Sequence, residues 1–431
     1  MPEINSIYET EITGYGSDGA GVGRIDGIAV FVPYSAVGDT VKVRIVSAHK
    51  SYMRGEITEI LKPSADRSNA FCPSYTECGG CNISHLSYEA QLKYKRQKVA
   101  DALRKIGGFN ITVSDTIASD QIIGYRNKVR VHICRENGDV FAGFYKSKTH
   151  SSVKSAYCAL QSAENLIIIN EIISYITEKD APVSSIYLRI IDQSIMVSLE
   201  ARSLHLPAEK ELTARIKTAC DSVSSIIISA QSKLRTLYGT AYQTDSLLGL
   251  KFNIHHDSFY QINKNICEKI YTHALGLLGD MKDKTVFDIY CGIGTISLFL
   301  AKKAKRVVGI EYLPRSVKDA RENARINNIN NTEFYAGDAA KVLHEMASGG
   351  ENADYIVLDP PRKGCDVSLL NTIGTMKPEK IVYISCNCAT LARDIKIISE
   401  YGYSTRSVTP FDMFPQTSHV ETAVLMSHVK Q

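Results

Sequence analysis

The chain has 431 residues, of which 44% are hydrophobic and 22% are charged, and its formal net charge is +4. This length exceeds what one hydrophobic core usually supports, so we expect two or three domains. No apolar run approaches the ~20 residues of a membrane-spanning helix, and the N-terminus lacks the basic start and apolar stretch of a secretion signal. We therefore expect a cytoplasmic protein with no membrane partner. The small net charge is compatible with a nucleic-acid partner but does not require one.

The chain contains 11 cysteines. An odd number of cysteines in a long chain from a reducing compartment argues against a disulfide framework. Core thiols, metal ligands and catalysis are the remaining roles.

Residues 1–62 read as short strands separated by glycine, aspartate and proline turns, with β-branched alternation in "VKVRIV". This pattern predicts a small barrel of the oligonucleotide-binding type. A barrel with an RNA role and a β-domain without one fit the pattern equally well.

Three cysteines follow in the spacing Cys-x5-Cys-x2-Cys, at Cys72, Cys78 and Cys81, with two glycines between the last two. The glycines permit a tight turn that brings the thiols together, and Cys158 in "SAYCAL" is the fourth candidate after Cys134. Four thiolates bind either zinc or an iron–sulfur cluster, and unliganded core thiols are the alternative.

The stretch 87–106 predicts a helix that Ser87 caps and Gly107 ends, and its lysines and arginines, among them Lys95, are expected on a solvated face. We expect this helix to pack on the C-terminal domain despite its position in the sequence.

Residues 120–250 mix strands and helices, an α+β pattern. Four basic residues alternate along "YRNKVRVHI" and so share one side of a strand. They predict a phosphate-contacting surface, with a solvated sheet face as the alternative: Arg126, Lys128, Arg130 and His132.

From residue 251 onward, apolar runs of strand length alternate with helical stretches. This alternation predicts an open, mostly parallel, Rossmann-like sheet covered on both faces. The six runs are "TVFDIY", "RVVGIEY", "TEFYAGD", "ADYIVLD", "KIVYISC" and "ETAVLMS".

The first of these strands ends in "DIYCGIG", where Gly292 and Gly294 let the backbone approach a ligand. Glu311 ends the second strand at the spacing expected for a carboxylate that binds ribose hydroxyls. Ser297 replaces the third glycine of a dinucleotide fingerprint, so no pyrophosphate is required. With Asp338 placed for an adenine amino group, the pattern predicts an S-adenosylmethionine pocket rather than a dinucleotide site or an inert turn.

The fourth strand ends in "DPPRKG", whose paired prolines fix a rigid exit that directs Asp359 over the sheet edge. The fifth strand ends at Cys386. A thiolate that adds to carbon 6 of uracil makes carbon 5 nucleophilic enough to take a methyl group, after which a base must remove the carbon 5 proton. His419 and Glu421 are both candidates for that base, and the chemistry alone does not rank them.

The segments "DPPRKG", "YISCNCATLARD" and "FPQTSHVE", in this order and spacing, resemble the RNA uracil-5-methyltransferase family, and "HHDSFYQIN" and "DIYCGIG" extend the likeness over essentially the whole chain. The resemblance implies that Cys386 is the nucleophile and Glu421 the base, with Gln261 and Asp359 holding the uracil. Cys388 stands where the family usually has proline. The implied cofactor-binding residues are Gln261, Tyr290, Gly292, Gly294, Glu311, Asp338 and Asp359.

The resemblance also implies a [4Fe–4S] cluster on Cys72, Cys78, Cys81 and Cys158, and a TRAM RNA-binding domain at the N-terminus. Because the tRNA-specific branch usually lacks both barrel and cluster, their presence favours 23S ribosomal RNA as substrate. A base in folded RNA must be turned out to reach Cys386, so we expect a target in a loop.

We therefore expect a monomeric, multidomain α/β enzyme: a TRAM barrel (1–62), a central α+β iron–sulfur and RNA-binding domain (63–250) and a Rossmann-like methyltransferase domain (251–431). The alternatives are methylation of uracil in tRNA, methylation of cytosine carbon 5, and a non-catalytic RNA-binding factor. The intact set of Asp359, Cys386 and Glu421 argues against the last.

Overall fold

The structure, a computed structural model, describes residues 3–147, 149 and 151–428. Its N-terminal sheet has the strand order β1-β5-β6-β4-β3-β2. The Thr10 hydroxyl closes the open side, because it accepts from the Arg24 N–H at 3.1 Å and donates to the Arg24 carbonyl at 3.0 Å. The sheet is therefore a barrel, as predicted. Its strands are β1 (Ile7–Glu11), β2 (Gly14–Tyr15), β3 (Gly21–Ile25), β4 (Ile28–Val32), β5 (Thr40–Ala48) and β6 (Tyr52–Lys62).

Helix α1 (Tyr88–Ala102) follows the cysteine-rich segment and continues through one π-helical turn, Leu103–Gly107. The Ser87 hydroxyl accepts from the Ala90 N–H at 3.3 Å, which confirms the predicted cap. The helix ends at left-handed Gly108 (φ 76°), one residue later than expected. Gly107 admits the Phe109 ring, which would lie 2.5 Å from an added Cβ.

The central sheet has the order β13-β12-β11-β10-β7-β8-β9, and α2 and α3 bury its apolar face. Lys128, Arg130 and His132 share the other face, whereas Arg126 does not belong to this row, because β7 begins only at Lys128. The elements are β7 (Lys128–Glu136), β8 (Asp139–Tyr145), β9 (Ser152–Val153), α2 (Glu164–Lys179), β10 (Val183–Ile191), β11 (Ser194–Ala201), α3 (Glu209–Ala219), β12 (Val223–Ala230) and β13 (Lys233–Tyr238).

The C-terminal sheet has the order β18-β17-β16-β19-β20-β22-β21, in which only the pairs made by β22 are antiparallel. Each of the six predicted runs forms a strand, and the polar strand β21 is an addition that the sequence did not predict. The elements are the hairpin β14 (Tyr242–Leu247) and β15 (Leu250–His255), α4 (Lys264–Leu278), β16 (Thr285–Ile289), α5 (Thr295–Ala301), β17 (Arg306–Glu311), α6 (Pro314–Ile326), β18 (Thr332–Ala336), α7 (Ala339–Ser348), β19 (Tyr355–Leu358), α8 (Val367–Met376), β20 (Lys380–Ser385), α9 (Cys388–Ser399), β21 (Tyr403–Phe411) and β22 (Glu421–His428).

Both faces of this sheet are covered, as expected of a doubly wound fold. Helices α4 to α6 and the hairpin cover one face, and α7 to α9 cover the other. Val99 and Leu103 of α1 are buried in the second of these cores, so α1 packs on the C-terminal domain. Within the described part of the chain, every helix is too short or too polar to cross a membrane.

Candidate active site

Three strands of the C-terminal sheet bring polar side chains to one edge. Strand β19 ends just before Asp359, and β20 ends just before Cys386. Strand β22 runs antiparallel to β20, with Ser385 opposite Thr422, so its first residue, Glu421, lies beside Cys386. The structure therefore places the three residues that the sequence singled out for the reaction at the same edge.

Burial and mutual repulsion oppose ionisation at this edge. Burial, with the nearby Asp359 charge, raises the pKa of Glu421 to about 8. Burial also raises the pKa of Asp359 to about 7 and, together with the Glu421 charge, raises the pKa of Cys386 to about 11. The Glu421 side chain is only 5% exposed. Neighbouring acids with such shifted pKa values are typical of sites that transfer protons.

Arg362 is a cation that favours ionisation here, and it was not among the predicted site residues. It follows the proline pair of "DPPRKG", and its charge lowers the pKa of both Cys386 and Glu421 against the raising effect of burial. Its backbone carbonyl accepts from Asn387 Nδ2 at 3.0 Å. The loop after β19 is thus tied to the residue that follows Cys386.

The backbone around Cys386 is fixed by its neighbours. The Asn387 N–H donates to the Ser385 hydroxyl at 3.1 Å, and Asn387 caps α9 by accepting from the Ala389 N–H at 3.1 Å. Cys388 is the first residue of α9 and is 6% exposed in the core, while Cys386 is half-buried and reaches the edge. The two thiols therefore face different surroundings.

His419 differs from Glu421 in its environment. It is exposed and packs edge-to-face on Phe414, with ring centroids 5.9 Å apart. Glu421, whose strand pairs with the strand that ends before Cys386, raises the pKa of Cys386. The geometry therefore favours Glu421 as the group that works with the thiol.

The glycine-rich loop lies one strand away, after β16. Tyr290, Gly292 and Gly294 all have positive φ, of 71°, 56° and 83°. A left-handed tyrosine is strained, and such strain is typical of loops built for a ligand. The Glu311 carboxylate accepts from the Gly292 N–H at 3.2 Å and from the Leu313 N–H at 2.9 Å. Each oxygen keeps a lone pair for a ribose hydroxyl.

Two predicted cofactor contacts remain, Asp338 and Gln261. Asp338 caps α7 by accepting from the Lys341 N–H at 3.2 Å, so one carboxylate oxygen is used structurally. Gln261 is half-buried, and its backbone carbonyl accepts from Asn127 Nδ2 at 2.9 Å, which ties this residue to the central domain.

A second group of residues lies between the cysteine-rich segment and the central sheet. All four predicted cysteine ligands line one cavity, together with Arg126: Cys72, Cys78, Cys81 and Cys158. Burial and the neighbouring thiols raise the pKa of Cys81 to about 12. As placed, no set of three or more His, Cys, Asp or Glu side chains among the described residues is arranged to hold a single metal ion. A metal centre here is therefore not part of what the structure shows.

Two family models match the chain. Residues 3–58 match the TRAM domain, and residues 87–429 match the tRNA (uracil-5-)-methyltransferase model. The chain belongs to the tRNA (uracil-5-)-methyltransferase family. As a member of this family it is an S-adenosylmethionine-dependent RNA methyltransferase, and the sequence-based recognition of the family is confirmed.

Similarity to known proteins supports this assignment. The chain is 39% identical to uncharacterized RNA methyltransferases of Halalkalibacterium halodurans and Clostridium tetani, over 98% of its length and 97% of theirs. The crystal structure of Pyrococcus abyssi tRNA (uracil-54, C5)-methyltransferase in complex with S-adenosyl-L-homocysteine matches with a TM-score of 0.76 at 26% identity, over 97% of this chain and 100% of that one. The methyltransferase therefore has a full-length structural relative that binds the demethylated cofactor.

Proposed function

We propose that this methyltransferase transfers a methyl group to carbon 5 of a uridine in RNA through a covalent adduct with Cys386. The observation that carries the proposal is the placement of Cys386 between Asp359 and Glu421 at the sheet edge, next to the glycine-rich loop. S-Adenosylmethionine would supply an electrophilic methyl group there, held by Glu311, Asp338, Tyr290 and Gln261.

The chain's own groups would act in sequence. The Cys386 thiolate forms a bond to carbon 6 of the uracil, which makes carbon 5 electron-rich. Carbon 5 then forms its bond to the methyl carbon while the bond between that carbon and the sulfonium sulfur breaks, and the sulfur keeps the electron pair. The Glu421 carboxylate takes the carbon 5 proton. The electron pair of that C–H bond restores the double bond between carbons 5 and 6 as the carbon–sulfur bond breaks and the thiolate leaves. Asp359 and Gln261 would hold the uracil edge.

The test is methyl transfer from a labelled donor to RNA by wild type and by Cys386→Ala. We expect label at carbon 5 of uridine with wild type and none with the variant, because the unassisted carbon 5 is too weak a nucleophile. Cys388→Ala is the matched control, since that thiol lies in the core, and it should stay active. Methylation by Cys386→Ala would refute the mechanism.

We propose a uridine of 23S ribosomal RNA as the target, on the association of the barrel and the cysteine set with ribosomal substrates in this family. A tRNA uridine is the second candidate, because the Pyrococcus abyssi tRNA enzyme matches 97% of this chain. Mapping 5-methyluridine in both RNAs from a deletion strain distinguishes the two. Loss of a 23S site supports the first candidate, and loss confined to tRNA supports the second.

We also propose that Cys72, Cys78, Cys81 and Cys158 hold a [4Fe–4S] cluster. The four thiols share one cavity, and the buried Nε of Arg126, which borders it, has no hydrogen-bond partner among the described residues. A buried N–H without a partner is costly, and four thiolates around a cluster would supply negative charge beside the guanidinium.

Iron and sulfide analysis of anaerobically purified protein tests the cluster. We expect about four of each per chain, and a loss of both in Cys158→Ser. Cys134→Ser is the control, because the Cys134 thiol lies outside the cavity and contacts the Ser152 hydroxyl at 3.0 Å. Stoichiometric zinc without sulfide would contradict the proposal.

A further inference from the structure

Residues 412–419, here called the strap, follow β21 and end two residues before Glu421, the first residue of β22. Side chains from other elements bind the strap's backbone carbonyls. These bonds are Asn263 Nδ2 to Met413 (3.3 Å), Lys95 Nζ to Phe414 (3.0 Å), Tyr125 Oη to Pro415 (3.1 Å) and Lys98 Nζ to Ser418 (2.6 Å). The position of the strap is therefore set by side chains from outside the C-terminal sheet.

The cysteine-rich segment also contacts the end of the strap. Asn82, which follows Cys81, accepts from the Ser418 N–H at 2.7 Å and donates to the Ser418 hydroxyl at 2.8 Å. The backbone N–H groups of Asn82 and Ile83 donate to the Gln416 carbonyl at 3.2 and 3.3 Å. The loop that carries a predicted cluster ligand is thus joined directly to the strap.

Gln416 shows that this junction is held tightly. It has a positive φ of 72° and is 1% exposed. A left-handed backbone is costly for a residue other than glycine and persists only where the surroundings impose it. Gln91 imposes it by accepting from the Gln416 N–H at 2.9 Å and donating to Gln416 Oε1 at 3.1 Å. The Gln416 side chain lines the cavity of the four cysteines.

We propose that Asn82 and Gln416 are positioning residues that couple the cysteine loop to the placement of Glu421. The inference rests on the proposed role of Glu421 as the base. The strap carries Glu421 to the sheet edge, while Cys386 is held independently by β20 and α9. Loosening the junction therefore slows removal of the carbon 5 proton and leaves RNA binding, thiol addition and methyl transfer intact. The methylated adduct on Cys386 then accumulates.

Asn82→Ala tests the coupling by removing both side-chain bonds to Ser418. We expect kcat to fall about tenfold, the effect of losing one or two hydrogen bonds, with KM for RNA unchanged. The covalent enzyme–RNA complex, measured as a slow band on a denaturing gel, should rise as kcat falls. Ser418→Ala, which loses only the hydroxyl, should show the same pattern with a smaller change.

Tyr34→Phe is the matched control, because the Tyr34 hydroxyl binds the Thr76 carbonyl of the cysteine-rich segment at 3.2 Å without reaching the strap. It should leave kcat and the complex unchanged. Glu421→Gln is the reference: if it accumulates no complex, the proposed function fails. Suppose instead that Glu421→Gln accumulates the complex. The positioning role is then overturned if Asn82→Ala loses turnover without accumulating complex, or if Asn82→Ala changes only the KM for RNA. If Asn82→Ala contains no iron, or if its circular dichroism spectrum differs from that of wild type, the same criteria are applied to Ser418→Ala.

Discussion

At the scale of single residues, the candidate site holds acids in an environment that favours their neutral forms. Burial raises the pKa of Glu421 to about 8 and that of Cys386 to about 11. The proposed reaction requires the ionised form of both, one as a base and one as a nucleophile. Because Arg362 lowers both pKa values, we expect it to increase the fraction of the enzyme that is in the reactive state.

Removing that cation should move the pH dependence of methylation. In Arg362→Gln the pKa values of Cys386 and Glu421 rise, so at any pH below them the ionised fraction falls. We expect the ascending limb of the single-turnover rate to shift to higher pH by about half to one unit, which is about three- to tenfold in rate at pH 7.

Lys363→Gln is the control for the loss of a positive charge, because Lys363 is exposed and its 3.9 Å contact is with Asp366. Its pH profile should match that of wild type. If the ascending limb of the pH profile of Arg362→Gln does not shift, Arg362 does not lower the pKa values of Cys386 and Glu421.

At the scale of elements, helix α1 shows what local patterns reveal and what they miss. Its extent and its Ser87 cap were predictable, since both depend on nearby residues. The placement of Lys95 was wrong: it was expected on a solvated face, but it is fully buried and paired with Asp412. The partner lies at the far end of the sequence, so no local periodicity could reveal it.

The buried pair predicts a large stability effect. Lys95→Met leaves the Asp412 carboxylate buried without its cation, and we expect a loss of about 3–5 kcal/mol in the free energy of unfolding. Adding Asp412→Leu should restore most of that loss, because no uncompensated charge remains. Urea unfolding of the two single variants and the double variant measures the coupling, and additive losses would contradict it.

The C-terminal sheet likewise shows which features local patterns reveal and which they miss. Its six apolar runs identified six strands, because strands of a sheet that is covered on both faces are mostly apolar. Strand β21, "YSTRSVTPF", escaped notice because serine and threonine interrupt its apolar residues. Arg126 was assigned to the basic row from its alternation alone, but the strand begins after it and the side chain lines the cysteine cavity.

At the scale of the whole molecule, the domains meet around the strap. Asn82 Nδ2 also donates to the carbonyl of Asp18 in the barrel at 2.5 Å, so one side chain touches the barrel and the C-terminal domain together. Sequence motifs predicted the three-part organisation but not this junction, which depends on contacts between distant segments. Domain content also does little to distinguish a ribosomal RNA substrate from a tRNA substrate, because a tRNA enzyme matches nearly the full chain.

The central claim is that Cys386 bonds to the uracil and Glu421 is needed to release it. The most direct test is to incubate Glu421→Gln with RNA and S-adenosylmethionine and to map the cross-linked peptide by mass spectrometry. We predict a methylated uridine bonded to Cys386, absent from the double variant Cys386→Ala/Glu421→Gln. Full turnover by Glu421→Gln without a complex, or a cross-link at another residue, would contradict the account.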